Sequence, residues 1–459
     1  MTDIVELFKT IIDPSRVKAS DEIPSKYRGK IKSPIGAECL VRPISSHEVS
    51  SILKVCNEFG RAVVAQGGMS GLVGGGDTNS GDIIISLELL NEIYEIDPVD
   101  RVLISGAGVI LQDAQEKVDE IDCMLPVDLG ARGSATLGGL ISTNAGGNRV
   151  IRYGMTRYSV LGLEAVLANG EIISSMNRMI KNNAGYDLKQ LFIGSEGTLG
   201  IITKCVIKLY PKPKSFSTAF VGINDYENLK DFLTYMDKEL SGGLGAFEVM
   251  WSNYYDCVKD NYPSMQMPLP SKYKYYVLLE MLGSDSLKDE ERFLDALGNA
   301  STNKLLEDVV IAKSDNDRKK LWAIREDVYE VFKKLSPSFT YDVSMPIKDM
   351  EYFAEKSSRQ ISSTFKDSTT LVFGHLGDGN LHLVVSVGND HHESHQKVND
   401  IIYGIISDLG GSVSAEHGIG IEKKDYLKMS RNNQEIGLMK TLKRSLDPKG
   451  ILNPGKIID

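Results

Sequence analysis

The chain has 459 residues, enough for two or three domains and a large buried core. With 42% hydrophobic and 25% charged residues, it has the balance of a soluble globular protein. Its 62 acidic and 52 basic residues give a net charge of -10, which argues against a nucleic-acid partner, whose binding rests on neutralised phosphates, but not against small anions met by a few local cations.

In chain order, the opening MTDIVELFKTIIDPS carries early acids and no long apolar run, so it reads as a short amphipathic helix and not as a signal peptide. No later segment reaches transmembrane length. Beyond a polar lead-in to residue 32, strands and helices alternate. Ser45-Ser46-His47-Glu48 has the form of a capping box ahead of apolar residues at helical spacing. RAVVAQ, GDIIISLELL and RVLISGAGV read as strands, and ILQDAQEKVDEI as a helix. Pro211 and Pro213 punctuate the chain and set a domain boundary near residue 213. Beyond it STAFVGI, KYYVLLEML, FTYDVSMPI, TTLVFGHL and NLHLVVSV read as strands separated by helices. That order predicts an α+β domain with an antiparallel sheet covered on one face. The expected division is a lead-in at 1–32, a first domain at 33–213, a second at 214–445, and a tail at 446–459 that returns to the first. The five scattered cysteines read as reduced, mostly buried thiols, with no cluster for an iron–sulfur site.

AQGGMSGLVGGG (65–76) is the densest glycine cluster and directly follows a strand. Glycine lets backbone N–H groups approach a ligand closely, and consecutive exposed N–H groups form a nest suited to a pyrophosphate. Gly68, Gly71 and Gly74 give G-x-x-G-x-x-G, not the Rossmann pattern, so alone the cluster fits an unliganded loop equally well. LPVDLGARGSATLGGLISTNAGG (125–147) and KNNAGYDLKQLFIGSEGTLGIIT (181–203) add small residues along which a long flat ligand can lie.

Only seven histidines occur, and two of them flank an Asp-Gly in FGHLGDGNLHLVV (373–385). A two-residue hairpin at Asp378-Gly379 sets His375 opposite His382 with Cβ atoms about 4.5–5.5 Å apart; a wider loop also brings the rings together. Such a pair either shares a divalent cation, which as zinc usually needs a third protein ligand, or only lines a half-buried sheet. Glu416 and His417 in SAEHGIGIEKKD offer that ligand if the chain kinks at Gly418 and Gly420, and otherwise sit on a solvated loop. In RKKLWAIREDVYEVF, Arg325 follows Trp322 by one helical turn. It is either a bidentate partner for a carboxylate or a solvated charge.

QGGMSG, GSATLGG, TNAGG and GSEGTLGIIT, in that order and spacing, resemble the vanillyl-alcohol-oxidase-type flavoproteins, from about residue 33 to the end. The resemblance implies a PCMH-type FAD-binding domain followed by an α+β cap. It implies that Gly67, Gly68, Met69, Ser70, Gly71 and Leu72 cradle the pyrophosphate. Pro126, Gly133, Ser134, Thr136, Gly139, Ser142 and Asn144 would line the flavin and its ribityl chain. Glu196, Gly200 and Ile201 would lie near the adenine or the ring, and Asn453 of ILNPGK would reach the flavin region. Some members attach FAD through a histidine; here only His47 precedes residue 375, so FAD is expected to be non-covalent.

GHLGDGNLH followed by SAEHGIG resembles the metal-dependent, FAD-linked D-2-hydroxy-acid dehydrogenase branch. That branch holds D-lactate dehydrogenases, glycolate oxidase catalytic subunits and D-2-hydroxyglutarate dehydrogenases. It implies that His375, His382 and Glu416 bind zinc or a similar ion, that His417 is the catalytic base, and, by its W-x-x-R pattern, that Arg325 holds the substrate carboxylate. The residue types suit the chemistry: a cation lowers the hydroxyl pKa, a neutral histidine takes the proton, and flavin N5 accepts the C2 hydride, leaving a 2-oxo acid.

Hydroxyglutarate-type members carry a threonine, a lysine and an asparagine where this chain has Tyr329, Thr340 and Val384. An aromatic residue at the place of Tyr329 is typical of the lactate and glycolate types. D-lactate is therefore expected first, with Tyr329 at the substrate, and D-2-hydroxyglutarate or glycolate as alternatives. A flavin-independent metal hydrolase would leave the glycine motifs without a purpose, and a scaffold protein would leave the histidines without one. With no iron–sulfur ligands and no NAD fingerprint, electrons are expected to leave to a quinone, a cytochrome, an electron-transfer flavoprotein or a partner subunit. A homodimer is left open, and the location is expected to be cytoplasmic, with peripheral membrane association left open.

Overall fold

In the computed structural model, which describes residues 4–29, 36–262, 265–326 and 333–458, the chain divides into two units. The first comprises Met1–Gly147, Gly154–Lys212 and Glu416–Asp459; the second, Asn148–Tyr153 and Pro213–Ala415.

In the first unit the lead-in helix Ile4–Ile11 buries Ile4 and Phe8, one turn apart. β1 (Val17–Ala19), β2 (Cys39–Val41), β3 (Val63–Gln66) and β4 (Ile83–Ser86) form a sheet in the order β1-β2-β4-β3, with β4 parallel to both neighbours. The parallel arrangement needs a crossover, and the helix Ser46–Phe59, which buries Val49, Ile52, Leu53 and Cys56, lies between β2 and β3 in the chain. Its N-cap Ser45 accepts from the Glu48 N–H at 3.2 Å. The expected capping box is only half made, because the Glu48 carboxylate reaches the Ile44 N–H and the Arg16 guanidinium.

A second, antiparallel sheet runs β5-β6-β10-β8-β9, from β5 (Ile93–Asp97), β6 (Val102–Gly106), β8 (Val160–Val166), β9 (Ile172–Ser175) and β10 (Ile201–Lys208). β7 (Cys123–Met124) pairs with β11 (Tyr210–Pro211). Ile85, Leu103, Ile141, Val166 and Ile207 are among the residues of the unit's core. The C-terminus adds to the first sheet: the Val63 N–H donates to the Ile451 carbonyl at 2.7 Å, and the Asn453 N–H to the Val63 carbonyl at 2.8 Å.

The second unit is built on one seven-stranded antiparallel sheet: β12 (Ser215–Ile223), β13 (Leu244–Trp251), β14 (Tyr275–Gly283), β15 (Asp308–Ile311), β16 (Phe339–Ser344), β17 (Thr369–His375) and β18 (Asn380–Ser386). Their order is β15-β12-β14-β13-β17-β18-β16. The expectation of one covered face is corrected, since every residue of β13 is buried. Phe247 meets Phe232 of the helix Tyr226–Leu240 on one side. On the other side Ala246 and Met250 pack in a core cluster with Tyr254 and Tyr255 of the helix Ser252–Asn261 and with Trp322 of the helix Asp315–Glu326. Strands as continuously apolar as YYVLLEML demand cover on both faces.

Candidate functional site

Side chains that pair across strands share one face of a sheet. In the second unit this rule aligns polar residues from six neighbouring strands. Thr218 of β12 lies opposite Glu280 of β14, and Glu280 opposite Ala246 of β13, two residues from Glu248. Glu248 lies opposite His375 of β17. On β18 His382 faces Phe373 of β17 on one side and Asp342 of β16 on the other. A polar stripe thus crosses a face that otherwise presents Phe220, Leu278, Met250, Phe373 and Val384.

Cations on the helix Asp315–Glu326 meet the stripe. Arg318, Trp322 and Arg325 are spaced by four and three residues, one side of a helix. The Trp322 indole N–H donates to Glu280 at 3.0 Å, and Arg318 adds two bonds to the same carboxylate. Arg149 pairs with Glu280 at 2.6 Å, and the Thr218 hydroxyl donates to it at 2.7 Å. Burial alone would raise the Glu280 pKa, but the charges of Arg149 and Arg318 with these hydrogen bonds bring it down to about 2.

Arg325 is 6% exposed and Glu248 1%. The Arg325 Nε–H donates to Glu248 Oε2 at 2.8 Å, and His375 Nδ1 meets Glu248 Oε1 at 2.6 Å. Burial pushes the Glu248 pKa up, but the neighbouring His375 and Arg325 charges outweigh it and hold the carboxyl below its usual range. A carboxylate on Nδ1 fixes the imidazole proton there and leaves Nε2 unprotonated, the nitrogen able to ligate a metal. The His375 and His382 rings stand nearly perpendicular with centroids 5.2 Å apart, and a nitrogen of each lies within 4.8 Å of the other. Two imidazoles so placed, one already oriented by a carboxylate, fit a divalent cation. Asp342 lies 3.8 Å from His382 Nδ1 and also accepts the Ala415 N–H at 3.1 Å, which fixes the chain at the residue before Glu416.

The route that brings the histidines together differs from a two-residue hairpin. β17 ends at His375, a 3-10 turn spans Leu376–Asp378, Gly379 takes φ +83°, and β18 starts at Asn380. His375 therefore faces Asn380, not His382; the two histidines are diagonal neighbours on one face. A type I′ turn needs positive φ at both central residues, and Gly379 has it whereas Asp378 does not.

In the first unit, Gly67, Gly68, Met69, Ser70, Gly71 and Leu72 form an irregular loop after β3, with Met69 in the left-handed region at φ +51°. The backbone N–H groups of Gly67, Gly68 and Met69 donate to no protein acceptor among the described residues, a consecutive set that fits an anionic pyrophosphate. A Cβ on Gly68 would fall 1.6 Å from the Ser134 carbonyl oxygen, and one on Gly67 2.4 Å from Thr136 Oγ1. Loop 67–72 is thus seated against Ser134, which shares the turn 130–134 with Gly133, and against Thr136 just beyond it; Pro126 lies earlier, in the irregular stretch after β7. Thr136 caps the helix Leu137–Thr143 through the Gly139 N–H, and the Ser142 carbonyl accepts the Glu196 N–H at 2.8 Å. Asn144 ends that helix in the left-handed region, and its side-chain oxygen accepts the Arg157 N–H at 2.9 Å. Gly200 lies against the Phe192 ring, and Ile201 is buried at the start of β10.

Glu196 acts as a staple. Its carboxylate accepts the Ile419 N–H at 2.7 Å and the Gly420 N–H at 2.8 Å, and its carbonyl accepts from the Asn453 amide. Burial raises its pKa against these bonds. Gly146 of TNAGG makes room for Glu416, whose Oε1 would lie 2.4 Å from a Cβ there. The segment of Glu416 and His417 is therefore packed among the flavin-type motifs. Tyr329 lies outside the described residues. Glu248, Glu280 and Asp342 were missed by sequence reasoning, although each is a single acid inside an apolar strand, in GAFEVMW, YYVLLEML and FTYDVS.

The family described as FAD linked oxidases, C-terminal domain, matches residues 212–457, and an FAD binding domain matches residues 37–175. A mitochondrial D-2-hydroxyglutarate dehydrogenase of Arabidopsis thaliana is 37% identical, over 99% of this chain and 81% of its own. A D-2-hydroxyglutarate–pyruvate transhydrogenase of Saccharomyces cerevisiae is 37% identical over 94% and 88%, and a putative mitochondrial D-lactate dehydrogenase of Schizosaccharomyces pombe 36% over 99% and 90%. The solved p-cresol methylhydroxylase superposes with a TM-score of 0.79 over 99% of this chain and 96% of its own; at 16% identity that likeness speaks for the PCMH-type fold alone. The relatives named mitochondrial overturn the expectation of a cytoplasmic protein. Among the described residues no helix is long and apolar enough to cross a membrane.

Proposed function

Because the chain belongs to the FAD-linked oxidases and is an FAD-dependent 2-hydroxy-acid dehydrogenase, we propose that it oxidises D-2-hydroxyglutarate to the 2-oxo acid. The observation that carries this reading is near-full-length identity of 37% to proteins named for D-2-hydroxyglutarate. It displaces D-lactate as the first choice. The case for D-lactate rested partly on Val384, which is 0% exposed in the apolar cluster beside Phe373. A side chain so enclosed reports on packing, not on the far end of a substrate.

The proposed roles follow the chemistry of each group. Arg325 spends one N–H on Glu248, and a guanidinium has four more with which to hold the C1 carboxylate. His375, His382 and Glu416 hold a divalent cation, zinc by the nitrogen and oxygen donor set. His417, next in the chain, takes the hydroxyl proton. When bound, the cation supplies positive charge to the hydroxyl and carboxylate oxygens, and FAD, held non-covalently, supplies the acceptor for the C2 hydride. The protein's own task is to hold C2 and to receive the proton.

Steady-state turnover with an artificial dye acceptor tests the substrate. The expected kcat/KM for D-2-hydroxyglutarate exceeds that for D-lactate by at least ~100-fold, because a site built for a second carboxylate leaves polar groups unpaired when it is missing. Equal values, or a preference for D-lactate, would return the substrate to the small monocarboxylic acids.

A further inference from the structure

We infer that Glu248 is a positioning residue that couples the metal-binding histidine to the carboxylate-binding arginine, an inference that rests on the roles proposed above for His375 and Arg325. The carboxylate is 1% exposed and sits at the centre of the polar stripe. One oxygen accepts from His375 Nδ1 at 2.6 Å, the other from Arg325 Nε at 2.8 Å. The two partners are themselves close: Arg325 Nη2 lies 3.5 Å from His375 Nε2. A divalent cation on Nε2 would bring a second positive charge beside the guanidinium. A fixed carboxylate bonded to both offsets that repulsion and sets both geometries at once. The Nδ1 contact selects the tautomer with Nε2 unprotonated, and the Nε contact aims the remaining guanidinium N–H groups.

Glu280 provides the internal comparison. It lies on the same face, is equally buried, and carries two arginines, yet it bonds to no proposed ligand of metal or substrate. A merely structural buried carboxylate should behave like Glu280. A positioning carboxylate should move metal affinity and KM together.

The test uses purified flavin-loaded enzyme and the variants Glu248→Gln, Glu248→Asp, Glu280→Gln and His382→Ala. Metal affinity is read by competition with a chromogenic chelator, beside KM, kcat and the flavin-to-protein ratio. Glu248→Gln keeps the shape, but its one amide oxygen can accept from only one of the two partners. The expected result is metal dissociation weakened about 10- to 100-fold, KM for the hydroxy acid raised about 10-fold or more, and an unchanged flavin ratio. Glu248→Asp keeps the charge but is too short to reach both partners, so it should fall between wild type and Glu248→Gln; it also serves if Glu248→Gln does not fold. Metal affinity and KM within about twofold of wild type in either Glu248 variant would overturn the inference. So would an equal loss of metal in Glu280→Gln. His382→Ala separates the levels: if it retains metal, the metal site itself is wrong; if it releases metal while Glu248→Gln does not, only the coupling role is wrong.

Discussion

At the scale of residues, the second unit depends on carboxylates buried against guanidinium groups, and these set a dependence on pH. The Glu280 carboxyl has a pKa near 2 in the folded chain against an ordinary value of 4.5. A depressed folded value means that the folded state holds its proton less tightly than the unfolded state. The stability this supplies, about 3 kcal/mol, is present above pH ~4.5 and is lost as pH falls towards 2. Glu280→Gln should therefore lower the denaturation midpoint clearly at pH 7, where it takes the carboxylate from the buried Arg149 guanidinium, and less at pH 3. Urea melts at the two pH values check this; a constant difference would contradict the assignment of the pH effect to Glu280. At this scale the histidines, Arg325, Glu416 and His417 stand out in the sequence as candidates because each sits in a distinctive local motif. Glu248 was not, because its partners lie 77 and 127 residues away and only strand register brings them together.

At the scale of elements, two loops do the positioning. The turn Leu376–Gly379 is two residues longer than a tight hairpin would be, and it moves His382 from opposite His375 to a diagonal place on the same face. The alternation of strands made the shared face legible, whereas the loop length depended on the backbone angle of Asp378, which the Asp-Gly dipeptide does not fix. The loop after β3 is held at backbone distance from the Ser134 carbonyl. Gly68→Ala would drive a Cβ into that oxygen, so the variant should purify with less than about a tenth of the wild-type flavin, read from its visible absorbance; a full complement would show that the loop can shift. Gly146→Ala would crowd the Glu416 carboxylate in the same way. It should lower metal content several-fold at unchanged flavin, read by elemental analysis. The glycine motifs announced their clustering in the sequence, but not which contacts were glycine against backbone and which lay beside a free N–H.

At the scale of the whole molecule, the chain commits its flavin-type motifs and the Glu416–His417 segment to one unit, and the histidine pair, Arg325 and Glu248 to the other. The fold class could be read from motif order and strand rhythm because both are local patterns, whereas the choice of substrate leaned on Val384, which strand packing encloses in an apolar cluster. The central claim is that one bound hydroxy acid is oxidised by FAD with a protein-held cation and His417 acting on its hydroxyl. Anaerobic mixing of the flavin- and metal-loaded protein with D-2-hydroxyglutarate, followed through the flavin's long-wavelength band, tests it most directly. The predicted result is bleaching by the D acid and not by the L acid, slowed at least ~100-fold by removal of the metal or by His417→Ala. Bleaching that is indifferent to the metal and to His417, or that occurs with D-lactate and not with D-2-hydroxyglutarate, would contradict it.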